Sequence, residues 1–131
     1  GNITLDVTVD GRLNGEPVAI DASQVFLFKG EVKLNTGGEL NALFLKAASG
    51  SQMTFAMGAQ KATFSKVVPG AYSVCVIPIN GDMNNPSFAQ KLQRHVDGIA
   101  VYCSTTKVSE APAQQAHTAI VPPMTPLPED E

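Results

Sequence analysis

Ile3-Thr4-Leu5-Asp6-Val7-Thr8-Val9-Asp10 alternates apolar and polar side chains without a fault. Successive side chains of an extended chain point to opposite faces, so Ile3, Leu5, Val7 and Val9 form a buried face and the residues between them a wet one. The pattern predicts a half-buried β-strand that stops at Asp10-Gly11. A second turn signal, Asn14-Gly15, precedes Glu16-Pro17.

The stretch from Val18 to Phe28 is apolar on both faces in its second half, Val25-Phe26-Leu27-Phe28, which predicts a central strand covered on both sides. Asn35-Thr36-Gly37-Gly38 breaks the chain. Leu40 to Lys46 fits a strand, although Leu40, Leu43, Phe44 and Ala47 also recur at a helical period. The flanking glycines and the strand-rich surroundings favour strand. After Ser49-Gly50-Ser51, the set Met53, Phe55 and Met57 alternates with Gln52, Thr54 and Ala56.

Ala62, Phe64 and Val67 lead into Pro69-Gly70, a pair suited to a type II turn because Pro fixes φ and Gly accepts positive φ. In the strand that follows, Ala71 to Ile79, Pro78 cannot donate to a ladder and must mark an end or an edge. One helix is expected at about 86–96. Asn85 caps it, Pro86 takes its first position, Phe88, Leu92 and Val96 form its stripe, and Gly98 stops it. Ile99 to Val108 and about Gln115 to Val121 close the set. The fold class read from this order is all-β: an antiparallel Greek-key sandwich of about seven strands with one short helix between late strands. The domain spans 1–121, and 122–131 reads as a Pro-rich, acidic linker or tail.

With 131 residues, 44% of them apolar and 16% charged, the chain makes one domain and is not disordered throughout. Nine basic against twelve acidic side chains give a net charge of −3, the wrong balance for a nucleic-acid partner. No apolar run approaches the roughly 20 residues of a transmembrane helix. The chain starts at Gly1 with no basic-then-apolar leader, so it reads as a domain cut from a longer protein.

Two cysteines, Cys75 and Cys103, fall in predicted strands on either side of the helix. An even count in a small β-domain predicts one disulfide and an oxidising compartment; two free buried thiols are the alternative. Their spacing excludes CxxC redox chemistry. His95 and His117 stand in no metal-binding spacing, no GxSxG elbow is present, and Gly37-Gly38 lacks the Lys and helix of a phosphate loop. Asn80-Gly81-Asp82-Met83-Asn84-Asn85 alternates oxygen side chains but lacks the Gly and Glu of a calcium loop where Asn85 and Lys91 stand, and reads instead as a turn that caps the helix. Asp6, Asp10 and Asp21 could gather near one end of the sandwich, but they fit the wet face and turns better. The expectation is therefore no catalytic residue, no cofactor and no metal.

The run Ala62-Thr63-Phe64-Ser65-Lys66-Val67-Val68-Pro69-Gly70-Ala71-Tyr72-Ser73-Val74-Cys75-Val76 resembles the signature of carboxypeptidase-regulatory-like domains, with Pro69, Gly70 and Tyr72 as its structural turn. Val9-Asp10-Gly11, Gly15-Glu16-Pro17-Val18, Ala22 and Val25-Phe26-Leu27 look like the family's opening strands. The likeness covers about residues 3–121, and Val32 to Gly58 departs from it. It implies a transthyretin-like (prealbumin-like) sandwich used as a non-catalytic module in secreted, periplasmic or cell-surface bacterial proteins, lipoproteins included. The purine-breakdown hydrolases of that fold carry a Tyr-Arg-Gly-Ser tail, which this chain lacks. The expected job is to space or dock neighbouring domains or envelope proteins. A carbohydrate-binding module is the alternative; it would need exposed rings, whereas Phe26, Phe28, Phe44, Phe55, Phe64 and Phe88 look committed to the core and only Tyr72 and Tyr102 remain.

Overall fold

The N-terminal alternating stretch becomes β1 (Ile3–Leu13), the central strand of one sheet, with Ile3, Leu5 and Val7 buried. The structure is a computed structural model that describes residues 2–47 and 50–129. Gly1, Ser49 of the expected Ser49-Gly50-Ser51 break and the acidic pair Asp130-Glu131 lie outside the described residues. β1 pairs antiparallel with β2 (Glu16–Pro17) and β5 (Ala62–Val67), and parallel with β8 (Gln114–Val121). The second sheet runs in the order β4 (Gln52–Met57), β3 (Ala22–Lys29), β6 (Gly70–Ile79), β7 (Tyr102–Val108), antiparallel throughout. The expected all-β sandwich is present, with eight strands among the described residues rather than about seven. Its first and last long strands lie side by side in parallel, the one departure from antiparallel pairing among the described residues.

β3 shows why the molecule has more than two layers. Val25 and Leu27 enter the core between the sheets, where they meet Leu5, Phe64 and Val74. Phe26 and Phe28 point the other way into a second core with Cys75, Ile77, Leu40 and Leu92. The Phe44 ring meets Phe26 edge-on at a centroid distance of 5.2 Å. That outer face is covered by α1 (Gly37–Lys46) and α2 (Pro86–His95), so the sandwich carries a helical third layer. α2 follows expectation closely: Asn85 Oδ1 accepts from Ser87 N at 3.0 Å, Pro86 opens the helix, and Leu92 is buried.

Three expectations about the elements need correction. Asp10-Gly11 does not end β1; the strand runs on to Leu13 and turns at Asn14-Gly15, both at positive φ (52° and 82°), as a tight hairpin turn requires. Gly11 is glycine because a Cβ there would collide with the Val18 carbonyl and stand 2.7 Å from Ile20. Leu40 to Lys46 is helix, not strand. Thr36 Oγ1 accepts from Glu39 N at 3.3 Å while Glu39 Oε1 accepts from Asn35 N at 3.2 Å, so Thr36-Gly37-Gly38-Glu39 forms a variant of the capping box that closes on the residue before the cap. Its glycines sit against the 3-10 turn Val96–Gly98, whose Val96 carbonyl leaves no room for a Cβ at Gly37.

Pro69-Gly70 is not a type II turn within one sheet. Gly70 has φ 153°, far from the roughly +80° of that turn, and the pair carries the chain from β5 in one sheet to β6 in the other. Tyr72 closes this corner: its ring is buried between the sheets and its hydroxyl donates to the Val68 carbonyl at 2.6 Å. Burial pushes the Tyr72 phenol pKa up, partly offset by that hydrogen bond. Residues 122–129 form neither helix nor strand, and the stretch lies against the domain as far as Leu127. Met124 is buried, and its N donates to Asn80 Oδ1 at 2.9 Å.

Replacing Phe64 with Ala will cost about 3–5 kcal/mol, because its ring is 1% exposed at the centre of the sandwich. Tyr72→Phe, which keeps the ring and removes one hydrogen bond, will cost about 1 kcal/mol. Urea unfolding followed by circular dichroism measures both, and equal losses would contradict the corner as described.

Candidate functional site

Cys75 and Cys103 face each other directly across β6 and β7 and form the disulfide, with Cα atoms 4.0 Å apart. The neighbouring register explains the placement. Gly30 N donates to the Ala71 carbonyl, so the odd-numbered residues of β6 direct their backbone groups toward β3. Cys75 is therefore a non-hydrogen-bonded partner of Cys103, the kind of site where antiparallel side chains come closest. The same alternation aims the nitrogen of Pro78 toward the β7 side, where pairing has already stopped at Val76↔Tyr102. Cys75 is fully buried, and a cleft of about 440 Å³ opens beside Cys103, between Leu34 and Tyr102.

The polar groups singled out in the sequence are engaged in building loops. Asp82 Oδ1 accepts from Asn84 N at 2.9 Å, and Asp21 Oδ2 accepts from Gly81 N at 2.8 Å. Asp6 accepts from Thr63 Oγ1 at 2.9 Å and Asp10 pairs with Arg12 at 3.0 Å, so Asp6, Asp10 and Asp21 do not gather. Among the described residues no three His, Cys, Asp or Glu side chains are grouped to hold a metal ion. Asn80 binds on three sides: its Nδ2 donates to Ala19 O at 3.0 Å, its Oδ1 accepts from Met124 N, and its own N lies 3.4 Å from Met124 Sδ. Beside it, Phe88, Lys91, Pro126 and Leu127 line a cleft of about 310 Å³.

One polar pair was missed by sequence reasoning. Ser104 Oγ on β7 lies 2.8 Å from His117 Nε2 on β8, a bond that ties one sheet to the other. Burial lowers the His117 pKa below its usual 6.5. Thirteen residues and a sheet boundary separate the partners, so no local pattern signals the pairing.

β4 carries the largest surprise. Phe55, expected in the core, is 53% exposed, and Met53 and Met57 beside it are 39% and 50% exposed. Only Ala56 of this strand is buried. The three side chains share the face of Phe26, to which Met53 is directly paired, but the helical cover does not bury them. β4 is also an edge. It pairs with β3 alone, and the Gln52 side chain reaches toward the neighbouring edge strand by donating to the Ser65 carbonyl at 3.0 Å. Met57 N points away from β3, toward Gln60 Oε1 at 3.4 Å, and the alternation of a strand turns the N–H and C=O of Phe55 and Met53 the same way. Natural edge strands are usually guarded by charge, proline or a bulge. Ser51 to Gln60 contains no ionisable residue and no proline.

Comparison with known protein families, with curated proteins and with solved structures finds no match.

Two stability measurements check this arrangement. Reduction, or Cys103→Ser with Cys75→Ser, will lower stability by about 3–4 kcal/mol, the loop-closure entropy of a cross-link spanning 28 residues. Reduction followed by alkylation will add two labels to the intact mass and alkylation alone none. For His117 the sign runs toward acid sensitivity. The unfolded chain takes up the imidazole proton as pH falls through about 6.5, while the folded protein takes it up only at lower pH, so stability declines across that window. Melting temperatures between pH 7.5 and 5 will fall more steeply in the wild type than in His117→Gln.

Proposed function

We propose that this domain is a non-catalytic structural and interaction module of a secreted, periplasmic or cell-surface bacterial protein, docking envelope partners or neighbouring domains. The observation that carries the reading is the unpaired β4 edge with its exposed Met53, Phe55 and Met57. A contiguous apolar stripe on an unguarded edge is a surface that binds protein, by hydrogen bonding along the strand and by burying its side chains. The compartment is supported by the Cys75–Cys103 disulfide, since such bonds persist where thiols are not kept reduced. No helix among the described residues is long and apolar enough to cross a membrane. The resemblance of the Pro69-Gly70-Ala71-Tyr72 segment to carboxypeptidase-regulatory-like domains points the same way.

Carbohydrate binding has less support. Tyr72 is buried in the corner and Tyr102 packs against the sandwich core, which leaves Phe55 as the exposed ring among the described residues. A row of rings, not one, is what a sugar chain stacks on.

Chemical cross-linking in intact cell envelopes, with the linked peptides identified, tests the proposal. Links from partner proteins that cluster around β4 and are lost in Phe55→Lys support it. Links scattered elsewhere and unaffected by Phe55→Lys, or recovery of the protein from the cytosol with both thiols free, count against it.

A further inference from the structure

We infer that the partner of β4 is the β4 of a second copy of this chain, related by a two-fold axis through Phe55. This inference rests on the reading of β4 as an interaction edge and adds the identity of the occupant.

The geometry is self-complementary. The outward-pointing backbone groups belong to Met53, Phe55 and Met57, and the exposed side chains belong to the same three residues, with Phe55 at the centre. In an antiparallel pairing on a two-fold axis, Phe55 faces its own copy as a hydrogen-bonded pair, and Met53 of each chain faces Met57 of the other. The long 3.4 Å contact from Met57 N to Gln60 Oε1 yields to the incoming strand, while the Met57 carbonyl, which accepts from Gln60 N at 3.0 Å, keeps that bond and offers its second lone pair. Each Phe55 ring then lies between methionine side chains, and sulfur–aromatic contacts are favourable. The two four-stranded sheets become one of eight strands.

Charge fits the same orientation. The uncharged stretch Ser51–Gln60 lets two copies, each of net charge −3, meet where like charges are fewest. The Lys29 side chain lies over Gly50 at one end of β4, whereas Asp21 and Asp82 share a cleft with Met57 at the other. An antiparallel dimer sets the basic end of each copy toward the acidic end of its partner, whereas a parallel one would set like against like.

Sedimentation equilibrium of the purified domain over a concentration series up to millimolar tests the inference. The expected result is a weight-average mass rising toward twice that of the chain. Phe55→Lys should sediment as a monomer throughout while keeping the wild-type melting temperature. Ile120→Lys, which alters an exposed apolar residue on β8, should still dimerise. A wild-type domain monomeric at every concentration overturns the inference, as does a dimer that survives Phe55→Lys. If the wild type stays monomeric yet β4 still cross-links to a different protein in envelopes, the inference fails while the interaction-module reading stands.

Discussion

Everything in this architecture follows from the two-sided hydrophobicity of β3. Val25 and Leu27 require one apolar partner layer and Phe26 and Phe28 another, on the opposite side of the same sheet. The first demand is met by β1, β5 and β8. The second recruits whatever else the chain has: two helices of ten residues each, the Val96–Gly98 turn and the Pro-rich stretch through Met124 and Leu127. Isolated helices that short are marginal in water, so the sheet stabilises its cover as much as the cover shields the sheet. That cover ends before β4. The exposure of Met53, Phe55 and Met57 is the unfinished margin of the second core.

How far this could be read from sequence depended on whether the deciding contacts were local. β1 was legible because its two faces alternate strictly, and β3 and β6 because a short run apolar on both faces between turn signals reads as a central strand. α2 was legible because its cap, its first-turn proline and its stripe lie within a dozen residues. The disulfide was legible because a short helix between two strands tends to return them as neighbours. α1 was misread although its capping box, Thr36 to Glu39, is also local. Gly37 and Gly38 look like a chain break, and the reason for them is a backbone carbonyl some sixty positions later, at Val96.

The site was harder still. The alternation of Met53, Phe55 and Met57 reads as a buried face, and in most sandwiches it would be one. What exposes it is how far the helices on the other side of β3 extend, a property of the whole molecule. The Ser104–His117 bond is equally non-local. Asp82 and Asn85, by contrast, accept from backbone N–H groups two residues on, the commonest use of short polar side chains in turns, whereas Asp21 and Asn80 reach backbone groups 60 and 44 positions away.

The parallel pairing of β1 with β8 has a mechanical meaning. The ladder runs in step from Thr4↔Gln114 to Gly11↔Val121, so residue 2 leaves it at one end and residue 122 at the opposite end. A pull on those two points slides the strands lengthwise past each other and strains the whole ladder at once, where a hairpin of terminal strands would peel open one bond at a time. A stretching force applied at those two points would meet this domain in its stiffest direction.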